Sequence, residues 1–280
     1  MWPFPSTTQK KTKPIKVEAQ WKMISASVKG ANKKSCQDSN YISQLSNGWG
    51  VCVVTDGAGS CAHSRVGARF AARRIGNIFE ALAKKYQEKG YPSEKVWEQD
   101  SVLAFLHARS ELEFIATKRS KMDVYEYSST VIAIMYSPDF ILITNIGDGR
   151  AGYRTADGVW HALFSPMKGT YANETYFLTS KNLCSLVQTN VVKADNIDSI
   201  VAMSDGVENY AWSISSYDET GSVNSLNQPF PGFLDPLIAT LFPEKLDLEQ
   251  SQQALTNLLR DHDVLKNEPD DKTLIVAFKG

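Results

Sequence analysis

A chain of 280 residues that is 42% hydrophobic can bury one large core, and nothing in its composition requires two. Its formal net charge of −1 and pI near 6.4 exclude a general electrostatic drive toward nucleic acid or an anionic membrane. No run approaches the roughly 18 consecutive apolar residues of a membrane span, and no apolar signal core opens the chain, so the expectation is a soluble, cytoplasmic protein.

Residues 1 to about 17 (MWPFPSTTQKKTKPIKV) combine three prolines with several lysines and few core formers; they read as a flexible arm ahead of one domain over 18–280. Trp21 to Ser27 reads as a strand. After a turn at Gly30, NKKSCQDSNYISQL places Lys33, Lys34, Gln37 and Asp38 at the start of a second strand, Asn40 to Leu45. Asn47-Gly48 is a hairpin signal, so the next run, VCVVTDGAGS from Val51 to Ser60, pairs antiparallel and brings Asp56 to the edge holding Asp38. An apolar run ending in Asp-Gly delivers a carboxylate to a strand end, where glycine permits close approach to a ligand; the same residues also suit a plain turn.

Val66, Phe70, Ile75, Ile78, Phe79 and Leu82 fall mostly three and four apart and predict a helix ending near Gly90. A second helix follows Pro92 and Ser93, with Val96, Trp97, Leu103, Leu106, Phe114 and Ile115 as its candidate core. From Ser128 the period shortens. SSTVIAIMY, FILITNIGDGR, AGYRT and VWHALF, joined by short turns, predict an antiparallel meander in which Asp148 sits between glycines, as a turn residue or a ligand.

Residues 165–190 read as a polar loop around Tyr171 to Thr175 with a short strand at Tyr176 to Thr179. SIVAMSDGVEN then repeats the earlier design, a strand from Ile200 to Met203 delivering Asp205 before Gly206. Residues 210–243, rich in Ser, Asn, Gly and Pro, read as an irregular insertion or flap. Leu246, Leu248, Leu255, Leu258 and Leu259 predict a helix, and Asp270-Asp271 stand immediately before a terminal strand, Thr273 to Phe278.

Asp38, Asp56, Asp205 and Asp270 therefore lie at ends of separate strands, with Asp148 as a further member. Ionised carboxylates brought together repel and raise one another's pKa values, so such a cluster is stable mainly around a cation. All-oxygen ligation without His or Cys selects Mg²⁺ or Mn²⁺ over zinc. Two such ions about 3.5–4 Å apart sharing a water would generate a hydroxide near neutral pH, suited to attack on phosphorus. Lys33 or Lys34, just ahead of Asp38, is placed to hold the phosphate oxygens, although paired lysines also suit a solvated turn. The four cysteines, Cys36, Cys52, Cys61 and Cys184, lack CxxC spacing and read as reduced thiols.

The ordered segments CQD, VVTDGAGS, SSTVIAIMY, NIGDGR, MSDGVEN and DDKTLIVAF resemble the metal-dependent protein phosphatase 2C family over about residues 20–280, and its compact bacterial-type branch in particular. The resemblance implies an α+β fold, a four-layer αββα sandwich of two antiparallel sheets flanked by helices. It implies two Mn²⁺ or Mg²⁺ ions at one sheet edge and hydrolysis of phosphoserine and phosphothreonine in proteins by a metal-bridging hydroxide. Asp56 would bridge the metals, the Gly57 carbonyl would ligate one, Asp205 and Asp270 would hold the other, Asp38 would belong to the cluster, and Asp148 matches the position of a weaker third ion. Asp270 is preferred to Asp271 by the family's spacing to the Thr that opens the last strand. Lys33 stands where many members carry a phosphate-binding Arg.

Gln37 replaces the family's acidic residue, and Ala58 replaces the His of animal members, so leaving-group protonation must come from metal-bound water or another residue; His63 is the nearest imidazole in sequence, but it also suits a cap or a solvent-facing position on the following helix. Two readings follow, an active phosphatase and a non-catalytic phosphoprotein-binding module. The implied partners are phosphorylated proteins and a cognate Ser/Thr kinase, with no nucleic acid or membrane, and the expected state is a monomer.

Overall fold

A computed structural model describes residues 21–165, 175–194, 196–217, 223–243, 247–263 and 265–279. In chain order the strands β1 (Trp21–Val28), β2 (Ser39–Gln44) and β3 (Gly50–Thr55) precede helices α1 (Ser64–Lys89) and α2 (Glu94–Phe114). Then come β4 (Val131–Tyr136), β5 (Phe140–Ile146), β6 (Arg150–Thr155), β7 (Trp160–Ala162), the short α3 (Leu183–Leu186), β8 (Gln188–Lys193) and β9 (Ile197–Met203). The remainder is α4 (Asp205–Ala211), β10 (Trp212–Tyr217), β11 (Val223–Pro229), α5 (Pro231–Leu241), α6 (Leu248–Asp261) and β12 (Lys272–Lys279).

Two five-stranded antiparallel sheets form, β2-β3-β4-β5-β8 and β1-β12-β9-β6-β7. Side chains alternate across a strand, and here both faces are apolar, so each sheet is covered twice. Val51 and Val53 of β3 pack under α1 and α2, while Cys52 and Val54 face the other sheet. In the second sheet, Val201, Met203, Leu274 and Val276 meet α4, α5 and α6, while Ile200, Ala202, Ile275 and Ala277 fill the space between the sheets. The expected four-layer αββα sandwich follows from that alternation.

Several local expectations give way to packing. Val66, Val96, Leu103 and Phe114, which the helical period assigns to the core, are exposed. On α1 the buried stripe is built from small residues, Gly67, Ala68, Ala71 and Ala72, which let the helix approach the sheet closely; on α2 it runs Trp97, Ser101, Ala104, Ala108 and Leu112, one position off Val96 and Leu103. The strands after Ser128 are not one meander. β4 and β5 pair in the first sheet, but β6 pairs with β9 and β7 in the second, and the chain crosses between sheets at Gly147-Asp148-Gly149. Gly147 has φ +120°, a conformation that favours glycine.

Tyr176 to Thr179 is a turn instead of a strand, tied by Leu178 N–H to the Ser129 carbonyl (2.9 Å). The strand of that region is the more polar β8. Where 210–243 reads as irregular, the structure holds the β10–β11 hairpin and α5, whose Leu234, Leu237, Ile238 and Leu241 are buried. The arm at 1–17, Tyr171 to Glu174 and Leu246 lie outside the described residues.

Candidate active site

Strand direction gathers the acidic residues. β2 and β3 are antiparallel with Ser39 opposite Thr55, so Asp38, just before β2, and Asp56, just after β3, share one edge. In the facing sheet, β9 ends toward Asp205 while β12 begins after Asp271, and the Ser204 N–H donates to the Thr273 carbonyl (3.1 Å). Arg150 lies opposite Met203, which puts the Asp148 crossover at the same edge. The loop after β1 adds Lys33. The result is a cleft of about 610 Å³ lined by Lys33, Asp56, Gly57, Ala58, Gly59, Ser60, Asp148, Thr175, Phe177, Asp205, Pro269 and Asp270.

The glycines of the Asp-Gly pairs serve backbone packing. A Cβ at Gly57 would lie 2.7 Å from the Gln37 carbonyl oxygen, and one at Gly206 would lie 2.1 Å from that of Asp271. Each aspartate can therefore reach the cleft only because the residue after it lets a second loop press against the turn.

Asp38 lies behind this lining, buried, with Oδ2 accepting from the hydroxyls of Ser204 and Thr273 (both 2.8 Å). Its Oδ1 has no donor, and the Asp56 carboxyl lies within reach, where a bond forms only if one carboxyl holds a proton. Burial, against hydrogen bonds from its neighbours, pushes Asp38 up to about 6. Burial and then the charges of Asp38 and Asp205 raise Asp56 well above the usual carboxylate range. Burial followed by the charges of Asp270, Asp148 and Asp38 pushes Asp205 up to about 7.

Asp270 and Asp271 separate by environment. Asp270 is 41% exposed on its side chain, lines the cleft and pairs with the Lys33 ammonium. Asp271 is buried and spent on structure: Oδ1 accepts from Gly30 N–H (2.8 Å), and Oδ2 from Gln37 N–H (2.7 Å) and Lys33 Nζ (3.2 Å). Burial would lower the Lys33 pKa, but these two carboxylates outweigh it and hold the ammonium charged. Lys34 is exposed and outside the lining.

The Gln37 side chain turns away from the cleft and donates to Ser64 Oγ (2.7 Å) at the start of α1. His63 also lies outside the lining, stacked on Tyr127 with ring centroids 5.0 Å apart. Cys36 is a thiol pushed up to about 12 by burial and by Asp38 and Asp271, so it is unreactive as it stands. Residues that sequence reasoning missed are those that hold the carboxylates: Ser204, Thr273 and Asp271, together with Thr130, whose Oγ1 accepts from the Asp56 N–H (3.1 Å). A polar Ser directly before Asp-Gly in MSDG and a Thr inside an apolar strand were their signal.

Among the described residues, no three His, Cys, Asp or Glu side chains are gathered around one point as a ready ligand set. The donor chemistry nonetheless suits a hard cation: carboxylates without imidazole or thiolate in the lining, and buried, unpartnered oxygens at Asp38 Oδ1 and Asp205 Oδ1.

Back-to-back antiparallel sheets between helices, with carboxylates meeting at one edge, define an αββα-sandwich protein with an acidic cleft. The chain belongs to the protein phosphatase 2C family, whose model matches residues 29–260, and it is a protein phosphatase. It is 27% identical to serine/threonine-protein phosphatase 3 of Escherichia coli (strain K12) over 269 residues, 92% of this chain and 98% of that one. Its fold is that of serine/threonine phosphatase Stp1 from Staphylococcus aureus (TM-score 0.60, 16% identity, 96% of this chain and 99% of that). Its fold also resembles that of RsbX, solved in complex with magnesium (TM-score 0.50, 12% identity, 93% of this chain and 96% of that). Asp270 lies beyond the matched segment, so its role rests on its place in the cleft.

Proposed function

We propose that this protein hydrolyses phosphoserine and phosphothreonine in proteins, with Asp38, Asp56, the Gly57 carbonyl, Asp205 and Asp270 holding two Mn²⁺ or Mg²⁺ ions and Asp148 directed to a weaker third. The observation that carries this reading is the convergence of Asp56, Asp148, Asp205 and Asp270 on one cleft beside Lys33. When bound, the ions would supply Lewis acidity and a water of lowered pKa. Asp38 positions Asp56 from behind and is itself fixed by Ser204 and Thr273.

Lys33 is the phosphoryl-binding cation of the proposal. Asp271 anchors its ammonium from the buried side and Asp270 takes a second N–H from the cleft side, which leaves the third for a phosphate oxygen. A lysine gives a point charge without the two-pronged grip of arginine. No imidazole lines the cleft among the described residues, so the proton for the leaving alkoxide would come from water or from a residue other than histidine. Phosphoproteins are the proposed substrates, and a protein kinase is the class of enzyme that must supply them.

The purified chain with Mn²⁺ is expected to release phosphate from p-nitrophenyl phosphate and from a phosphothreonine peptide. Binding of the peptide without turnover, with Mn²⁺ shown to be bound, would establish the non-catalytic reading instead.

A further inference from the structure

The cleft does not stop at Asp205 and Asp270. The same two residues wall a second cavity of about 250 Å³, together with Gly206, Glu208, Asn209 and Glu268. Asn209 in turn walls a third, of about 470 Å³, whose lining includes Tyr210, Trp212, Phe230 and Phe233. α4 (Asp205–Ala211) runs the length of this track, its first residue in the cleft and its last turn at the aromatic pocket.

Chemistry changes along the track. In the middle, Glu208 is neutralised by Arg150, whereas Glu268 accepts from the Tyr210 hydroxyl (3.1 Å) and the Asp270 N–H (3.4 Å); among the described residues it makes no direct ion pair, with the buried Lys272 ammonium acting on it only from a distance. At the far end the surface is apolar. Phe230 is 46% exposed, and its ring lies over Gly232, where a Cβ would meet it at 2.6 Å. Trp212 is buried with its Nε1 donating to Asn227 Oδ1 (2.9 Å), so it presents ring, not a polar group. An apolar ring left in water beside a binding cleft gains when a ligand covers it.

We propose that this track holds the substrate polypeptide on one side of the phosphorylated residue, and that the aromatic pocket receives a large apolar side chain. The spacing follows from α4. Its seven residues span about 10 Å at about 1.5 Å each, and an extended peptide advances about 3.3 Å per residue, so the anchor lies at least about three residues from the phosphoresidue, more where the peptide bends into the pocket. Glu268 between them favours a basic residue at the intervening positions. Continuity selects a substrate segment as occupant, since the walls of the pocket connect through Asn209 to those of the cleft. The proposal rests on the phosphatase reading of the cleft.

The test uses the full chain with Mn²⁺ and phosphothreonine peptides carrying lysine near the phosphoresidue and either Phe or Ala at three, four or five positions away, on each side in turn. On one side, Phe should raise kcat/KM over Ala by about tenfold, the scale of burying one such side chain, and the gain should sit in KM. In Phe230→Ala the ratio of the two peptides should fall to near one. Equal kcat/KM for Phe and Ala at every position, with phosphate released from all peptides, overturns the track and leaves the phosphatase reading standing. An undiminished Phe preference in Phe230→Ala places the anchor elsewhere and also overturns it. No release from any peptide, with Mn²⁺ bound, is failure of the phosphatase reading itself and removes the premise of the track.

Discussion

Asp270 and Asp271 are neighbours with opposite surroundings, and they separate metal binding from stability. Asp271→Ala leaves the Gly30 and Gln37 amides without their buried acceptor, at about 1–3 kcal/mol for each unsatisfied group. Its urea midpoint should fall well below that of the parent. Asp270→Ala removes a half-exposed cleft carboxylate and should leave that midpoint nearly unchanged while weakening Mn²⁺ binding measured by calorimetry. Equal losses of Mn²⁺ affinity in the two variants would undo the assignment. Asp56→Ala should lower turnover of p-nitrophenyl phosphate by more than about a hundredfold, since even groups that only orient metal ligands are worth about 10–100-fold; a near-normal rate would show the centre to be elsewhere. The motif residues were legible because each follows or precedes an apolar run. The spacing of the family it resembles already preferred Asp270 as the ligand, but the role of Asp271 as a buried acceptor was not legible, because only the fold brings the Gly30 and Gln37 amides to it.

At the scale of elements, α4 depends on contact with the loop before β12. Gly206→Ala would set a Cβ 2.1 Å from the Asp271 carbonyl oxygen, so α4 must move off that loop and carry Asp205 away from Asp270. Mn²⁺ affinity and thermal stability should fall together in this variant; retention of both would show that the close approach is dispensable. A control far from the cleft is Asp247, whose carboxylate caps α6 by accepting from Glu249 N–H (2.9 Å) and Gln250 N–H (3.2 Å). Asp247→Ala should cost about 1 kcal/mol of stability in denaturant unfolding without changing Mn²⁺ affinity. Helices α1, α2 and α6 and most strands, but not α3, α4 or α5, were legible from period and caps. The β10–β11 hairpin was not, since its Ser, Asn and Gln content matches loop composition and its pairing lies in backbone hydrogen bonds.

For the whole molecule, the acidic edge links pH, metal and stability. Asp38, at about 6, and Asp205, at about 7, hold protons more tightly when folded than an ordinary carboxylate near 3.8. Their contribution to the metal-free protein is full below the unfolded value and is lost as pH rises through about 6 to 7. A bound cation needs the same groups ionised, so Mn²⁺ affinity should rise between about pH 5.5 and 7.5, with protons released on binding at the lower end. Calorimetry in two buffers of different ionisation enthalpy measures that release; affinity flat with pH and no proton release would contradict the assignment.

The sequence by itself determined that strands end in carboxylates, that oxygen ligands favour Mg²⁺ or Mn²⁺, and that the order of segments resembles the protein phosphatase 2C family. Those properties lie in local composition and spacing. Only the tertiary structure decided that the strands from Ser128 divide between two sheets at Asp148, that Gln37 and His63 turn away from the cleft, and that Asp271 is an anchor for Lys33. Each of these depends on which segments distant in sequence pack together, and the burial and hydrogen bonding that choose among chemically equal residues arise only from that packing.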